Sequence, residues 1–322
     1  MSKSLYIVVP CYNEEAVLPS AAQALGEKLC QMVSSGLVSS DSRILFVDDG
    51  SRDATWNIIS SLCQTRRDVM GIKLAHNCGH QRALCAGMMY AKDRCDCMIS
   101  IDADLQDDID VLPQFIEKYN EGCHIVYGVR SERKTDSFFK RATAQGFYRL
   151  MARMGAEPVY NHADYRLMSR KALDALAQYG ENNLFLRGIV PMIGLKTDVV
   201  YYSRKERLLG ETKYPLKKML NFAVDGITSF SVKPLRVIFL LGGFSSFASV
   251  CALVCVAILW LMGRTMPGWC IAVSLLWFLG GVQLLAMGIL GEYVGKIFAE
   301  VKHRPRYYIE EIARGDDEKE ME

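Results

Sequence analysis

Two acidic clusters stand where short apolar runs end: Val47-Asp48-Asp49-Gly50-Ser51 and Asp102-Ala103-Asp104-Leu105-Gln106. Alternate residues of an extended segment share a face, so Asp102 and Asp104 turn two carboxylates to one side. Such a pair repels itself unless a cation sits between its members. A hard divalent metal carrying diphosphate oxygens suits it. The same residue types also serve as turn and helix-cap residues. Position favours the metal, because the pair directly follows the apolar segment 98–101 and is itself followed by Gln106. Gly50 and Ser51 read as a turn and a cap, while a carboxylate beside them can accept hydrogen bonds from a nucleobase or ribose. A third strand-end loop, Pro10-Cys11-Tyr12-Asn13-Glu14, offers an amide and a carboxylate.

The elements that must position these groups follow from hydrophobic pattern. Strands are expected at 5–9, 43–47, 69–74, 97–101 and 124–127, and helices at 14–32, 55–65, 81–91 and 109–120. Short buried runs alternating with helices indicate an α/β domain with a mostly parallel sheet and helices on both faces. The loops at the carboxyl ends of its strands form the site. They hold 10–15, Asp48-Asp49, His76-Asn77, 102–106 and Gly128-Val129-Arg130. His80, His124, His162 and His303 have no carboxylate or cysteine at ligand spacing and read as structural.

A formal net charge of +2 over 322 residues gives no single-sign field for bulk nucleic-acid binding. The eleven cysteines are irregularly spaced without a CxxC pair and read as small buried hydrophobes in a reducing compartment. The first apolar run is too short and too β-branched for a signal peptide, so the amino-terminal domain is expected in the cytosol. Residues 138–154 and 216–230 each carry an apolar helical stripe expected to lie on a membrane surface. Residues 237–263 and 268–291 carry no charge and each exceeds the ~20 residues that cross a bilayer. The short link 264–267 makes them an antiparallel hairpin. Lys and Arg crowd 203–236 and follow the second span at Lys296, Lys302, Arg304 and Arg306, which places both ends in the cytoplasm. The expected division is a cytosolic catalytic domain over 1–202, a loop and juxtamembrane helix over 203–235, a hairpin over 236–296 and a cytosolic tail over 297–322.

These pieces, in this order, resemble family 2 glycosyltransferases, and within them the polyprenol-phosphate branch of bactoprenol glucosyltransferases and dolichol-phosphate mannosyltransferases. The matching segments run from Val8-Val-Pro-Cys-Tyr-Asn-Glu-Glu15 through Val47-Asp-Asp-Gly-Ser51, His76-Asn-Cys-Gly-His-Gln-Arg-Ala83, Asp102-Ala-Asp-Leu-Gln106 and Gly128-Val-Arg130. They continue with Asp164-Tyr-Arg-Leu-Met168, Phe185-Leu-Arg-Gly188, Arg207-Leu-Leu-Gly-Glu-Thr-Lys-Tyr214 and Gly291-Glu-Tyr-Val-Gly295. The family often has Arg where His76 stands and Gly where Ala163 stands.

The resemblance implies a GT-A (nucleotide-diphospho-sugar transferase) fold followed by interfacial helices and a two-helix transmembrane hairpin in the cell (inner) membrane. It implies inverting transfer of a hexose, with UDP-glucose as the lead donor, to polyprenyl (undecaprenyl) phosphate. Pro10, Tyr12, Glu14 and Asp49 would surround the nucleotide, and Asp102, Asp104 and Gln106 would surround Mg²⁺ or Mn²⁺ and the diphosphate. Asp164 would lie near the sugar, and Arg130 and Arg141 near the acceptor phosphate. Thr212 and Lys213 would belong to a loop closing over the donor. Short hairpins in this family are associated with oligomers, tetramers among them. From the residues alone, Arg130 and Arg141 also read as part of a basic surface run, and Asp164 as a structural partner of Arg166. Other donors (GDP-mannose, UDP-N-acetylglucosamine, an amino-sugar nucleotide) stay open, as does a catalytically silent membrane scaffold. A processive polysaccharide synthase lacks support, because the chain has no QxxRW motif and too few spans.

Overall fold

Seven consecutive buried residues, Leu5–Cys11, make β1, the kind of strand that needs cover on both faces. In the computed structural model, which describes residues 2–131, 162–181, 186–203, 244 and 268–315, it lies inside an eight-stranded sheet. β2 (Arg43–Asp48) and β4 (Cys97–Ser100) flank β1 in parallel, and β3 (Val69–Leu74) extends the parallel set beyond β2. On one face Leu5, Ile7 and Val9 meet Leu18 and Leu25 of α1 (Leu18–Ser34), Ile59 of α2 (Thr55–Thr65) and Phe115 of α4 (Leu112–Asn120) in a single core. On the other, Val8 and Val47 come up against Gly87 of α3 (His80–Ala91). The expected parallel βα core is therefore present.

Three strands lie outside the expected series. β6 (His162–Ser169) runs antiparallel between β4 and β5 (Ile125–Arg130), and β7 (Thr197–Tyr202) runs parallel to β5 at the sheet's end. β8 (Ile309–Ala313) pairs antiparallel with β3 at the opposite edge, so the order is β7-β5-β6-β4-β1-β2-β3-β8. Two short helices, α5 (Arg170–Ala177) and α6 (Leu186–Met192), separate β6 from β7.

Boundaries also shift. The helix expected over 14–32 begins at Leu18, where Pro19 starts the first turn and the Glu14 carbonyl takes the Val17 and Leu18 amides. Residues 13–15 are thereby released into a loop. The helix expected over 109–120 opens instead with a 3₁₀ turn, Ile109–Val111.

The chain divides into two units. One comprises Met1–Thr143, Pro158–Lys213 and Arg304–Glu322 and contains the sheet; the other comprises Ala144–Glu157 and Tyr214–His303. The described part of the second is chiefly α7, a 34-residue helix over Gly268–Val301, about 51 Å long at 1.5 Å per residue. Many side chains of α7 lie outside the description. Among the described residues no helix is long and apolar enough to cross a membrane. The first expected span, the stretches 138–154 and 216–230 and the acidic tail 316–322 lie outside the described residues, Phe244 apart.

Candidate active site

The loops after β1, β2 and β3 are stitched to one another by side chain to backbone bonds. Asn13, at a left-handed φ of 54°, donates its N–H to Ser51 Oγ at 2.9 Å and accepts from the Arg52 amide at 2.9 Å. The Glu14 amide donates to Thr55 Oγ1 and Glu15 Oε2 accepts from the Ala54 amide, both at 2.9 Å. Pro10 stays within β1 opposite Val47, Glu14 is half-buried and Tyr12 is exposed.

Asp49 is buried, and its two oxygens accept from the amides of Cys78 (2.7 Å) and Gly79 (2.9 Å). Burial raises its pKa, and those amides only partly offset this. Asp49 thus shapes the loop before α3. Gly50 makes that approach possible. Its φ is +66°, and a Cβ there would stand 2.6 Å from the His76 carbonyl carbon and 2.7 Å from the Asn77 nitrogen. Neighbouring Asp48 accepts from the Ser51 amide through Oδ1, while its buried Oδ2 has no hydrogen-bond partner among the described residues. Burial raises the Asp48 pKa too.

After β4 the chain turns sharply. The Leu105 amide donates to the Asp102 carbonyl, Leu105 takes a φ of 47°, and Asp104 Oδ1 accepts from the Gln106 amide at 3.2 Å. A left-handed Leu costs energy, which fits a loop whose geometry is set by function. Desolvation lifts the Asp102 carboxyl to about 6, against the pull of His80.

That histidine was read from the sequence as structural and without carboxylate partners; the structure gives it two. His80 opens α3 with Nε2 3.7 Å from Asp102 Oδ1 and 3.6 Å from Asp164 Oδ2. Desolvation lowers its pKa, but Asp164 and the charge of Asp102 more than reverse the effect, and the net shift is upward. Of its two sequence readings, Asp164 shows the partnership with Arg166. It bonds the fully buried Arg166 at 2.6 Å and also receives Arg187 Nη2 at 3.1 Å, so it is at once the partner of Arg166 and a member of the site cluster. Burial opposes its ionisation, yet His80, Arg166 and Arg187 together hold its pKa well below the usual carboxylate range. Arg187 was not singled out either. The signal for both residues was their presence in matched segments, since sequence spacing brings neither near a carboxylate.

Arg130 ends β5 with its Nε donating to the Tyr202 hydroxyl at 3.2 Å and its Nη2 3.4 Å from Asp107 Oδ1. Arg141, Thr212 and Lys213 lie outside the described residues.

No three His, Cys, Asp or Glu side chains among the described residues form a group that could hold a metal ion. The donor chemistry nonetheless fits a shared site. Asp102 and Asp104 offer hard carboxylate oxygens on one loop, and Asp102, held up by burial, gains from a neighbouring cation. Magnesium commonly takes one or two carboxylates and completes its shell with phosphates and water.

The model of glycosyl transferase family 2 matches residues 6–177. An uncharacterized glycosyltransferase of Bacillus subtilis, YkoT, is 56% identical over 95% of this chain and 91% of its own. The bactoprenol glucosyl transferase of Shigella phage SfII is 40% identical over 96% of this chain and 98% of its own. Among solved structures, a mannosyltransferase of Pyrobaculum calidifontis in complex with GDP-Man and Mn²⁺ aligns with a TM-score of 0.45 at 14% identity, over 94% of this chain and 86% of that one. A likeness that distant carries no argument about chemistry. The family match and the near full-length identities do, and by them the chain belongs to glycosyl transferase family 2 and is a glycosyltransferase.

Proposed function

We propose that this glycosyltransferase moves a hexose from a nucleotide sugar, with UDP-glucose the lead donor, to polyprenyl phosphate, with undecaprenyl phosphate the lead acceptor. One arrangement carries the reading. A metal-type carboxylate loop, a fixed Asp164 and a strand-end Arg130 stand at the carboxyl side of a single sheet. Support for lipid and sugar comes from the relatives named bactoprenol glucosyl transferase, which match along nearly the whole chain. The uncharged segments 237–263 and 268–291 support a two-span hairpin in the cell membrane with the sheet on the cytoplasmic side.

The chemistry needs little proton transfer. A phosphate monoester has a second pKa of about 6, so the acceptor is already largely dianionic at neutral pH. One of its oxygens attacks the anomeric carbon while the bond to the nucleoside diphosphate breaks and takes its electron pair with it. In-line displacement inverts the configuration. In this reading Arg130 and Arg141 hold the acceptor phosphate, and Lys213 neutralises the departing diphosphate. Asp164, ionised and held on two arginines, orients the sugar. A divalent ion on Asp102 and Asp104, with Gln106 beside them, would neutralise charge that builds on the leaving group.

The deciding experiment incubates the purified full chain with Mg²⁺, undecaprenyl phosphate and a panel of labelled sugar nucleotides, then counts label in the organic phase. Label from one donor, lost on adding EDTA, names the sugar and the metal requirement together. Absence of organic-phase label from every donor, with folded protein, overturns the lipid acceptor.

A further inference from the structure

The proposed chemistry leaves two buried polar residues without a task. Asp107 and Tyr202 are each 2% exposed, and both face Arg130. The Tyr202 hydroxyl donates to Asp107 Oδ1 at 2.6 Å, Arg130 Nε donates to that hydroxyl at 3.2 Å, and Arg130 Nη2 reaches the same carboxylate oxygen at 3.4 Å. Three groups from three parts of the sheet unit close a triangle. Asp107 belongs to the loop that carries Asp102 and Asp104, Arg130 ends β5, and Tyr202 ends β7.

The triangle is built rather than incidental. A buried carboxylate must be paired and hydrogen-bonded to be tolerated, and Asp107 has both kinds of partner here. The β5–β7 register sets Tyr202 directly opposite Arg130. The Tyr202 ring stands edge-on to Tyr165 at 5.2 Å, and the Tyr165 hydroxyl bonds the Asp108 carbonyl at 3.0 Å. Gly128 leaves room for both rings. A Cβ there would come within 2.9 Å of the Tyr165 carbonyl oxygen and 3.1 Å of Tyr202 Cε1. The glycine of the Gly-Val-Arg segment thus has a local reason tied to the arginine two residues on.

We propose that Asp107 and Tyr202 are positioning residues for acceptor recognition: they hold the plane of the Arg130 guanidinium and tie it to the loop that carries Asp102 and Asp104. This rests on the reading of Arg130 as a ligand of the acceptor phosphate. A guanidinium recognises phosphate as a rigid fork, so its orientation decides how many bonds it makes. Two bonds already made to the protein set that orientation before the lipid arrives, which lowers the ordering cost of binding. The shared carboxylate also means that a shift of the 102–107 loop is felt at Arg130.

The test is a steady-state cycle on the full chain with undecaprenyl phosphate and the donor that gives label in the panel. Tyr202→Phe keeps the ring and removes only the hydroxyl. It is expected to raise the KM for undecaprenyl phosphate about ten-fold, the weight of one hydrogen bond to a charged group, with the donor KM moving much less. Asp107→Asn should show the same split. In an Arg130→Lys background, which has no plane to orient, Tyr202→Phe should add nothing further. If Arg130→Lys raises the acceptor KM but Tyr202→Phe does not, or if the two effects simply add, the positioning role falls while the Arg130 reading stands. If Arg130→Lys leaves the acceptor KM unchanged, the Arg130 reading falls and takes the proposal with it.

Discussion

The imidazole of His80 stands between two carboxylates that β4–β6 pairing brings together, 3.6 Å from Asp164 and 3.7 Å from Asp102. Asp102 follows β4 and Asp164 lies in β6, so without a cation between them they would face each other as like charges. Asp102 and Asp164 therefore form one electrostatic unit through His80. His80→Gln is expected to cut turnover about ten-fold or more, the scale of one charge-assisted contact. Wild-type turnover with unchanged thermal stability would return His80 to a structural role.

Arg166 is fully buried and leans on Asp164. Removing that carboxylate strands a buried guanidinium, so Asp164→Asn should cost about 3 kcal/mol in unfolding experiments near neutral pH. The Asp164 pKa is depressed in the folded state, so its contribution is fully present above the unfolded carboxylate value of about 3.9 and fades as pH falls towards the folded value. The gap between wild type and Asp164→Asn should therefore be full at pH 6 and narrow below about pH 4. A gap that stays constant down to pH 3 contradicts the ion-pair account.

In the proposed reaction Asp104 serves the donor and Arg130 the acceptor. Asp104→Asn and Arg130→Ala are each expected to lower lipid glycosylation by at least about a hundred-fold, as the loss of one preorganised electrostatic contact does. Label counted in the organic phase gives the answer, and near-normal turnover in both variants would defeat the site assignment.

Gly50→Ala places a methyl group against the His76–Asn77 backbone at a φ that L residues avoid. The loop held by Asp49 must shift, with an expected loss of roughly 1–3 kcal/mol and a weaker nucleotide affinity. Isothermal titration with the nucleoside diphosphate and Mn²⁺ reads the second effect; affinity equal to wild type would show that the close approach has no bearing on the donor.

The parallel core was legible because its signals are local. An apolar run such as 5–9 and a following helical period need no knowledge of distant chain. β6 and β8 were not, because each is defined by an antiparallel partner far along the sequence, and β8 has three exposed residues that mask its apolar pattern. The same logic divides the site. Asp102, Asp104 and Asp49 announce themselves at strand ends. His80, Arg187, Asp107 and Tyr202 gain their meaning only when β4, β5, β6 and β7 are laid side by side. The start of α1 was misjudged because the N–H groups of Asn13 and Glu14 are tied to Ser51 and Thr55 of the neighbouring loop and helix.

β7 and β8 belong to the same sheet, one before and one after the segment 214–303 that forms most of the second unit. Both ends of that segment are therefore fastened to a single folded body, and a folded body occupies one side of a bilayer. Whatever membrane the segment enters, it must come back: the number of crossings is even. A single span is forbidden by connectivity alone, before any count of hydrophobic residues or flanking charges is made.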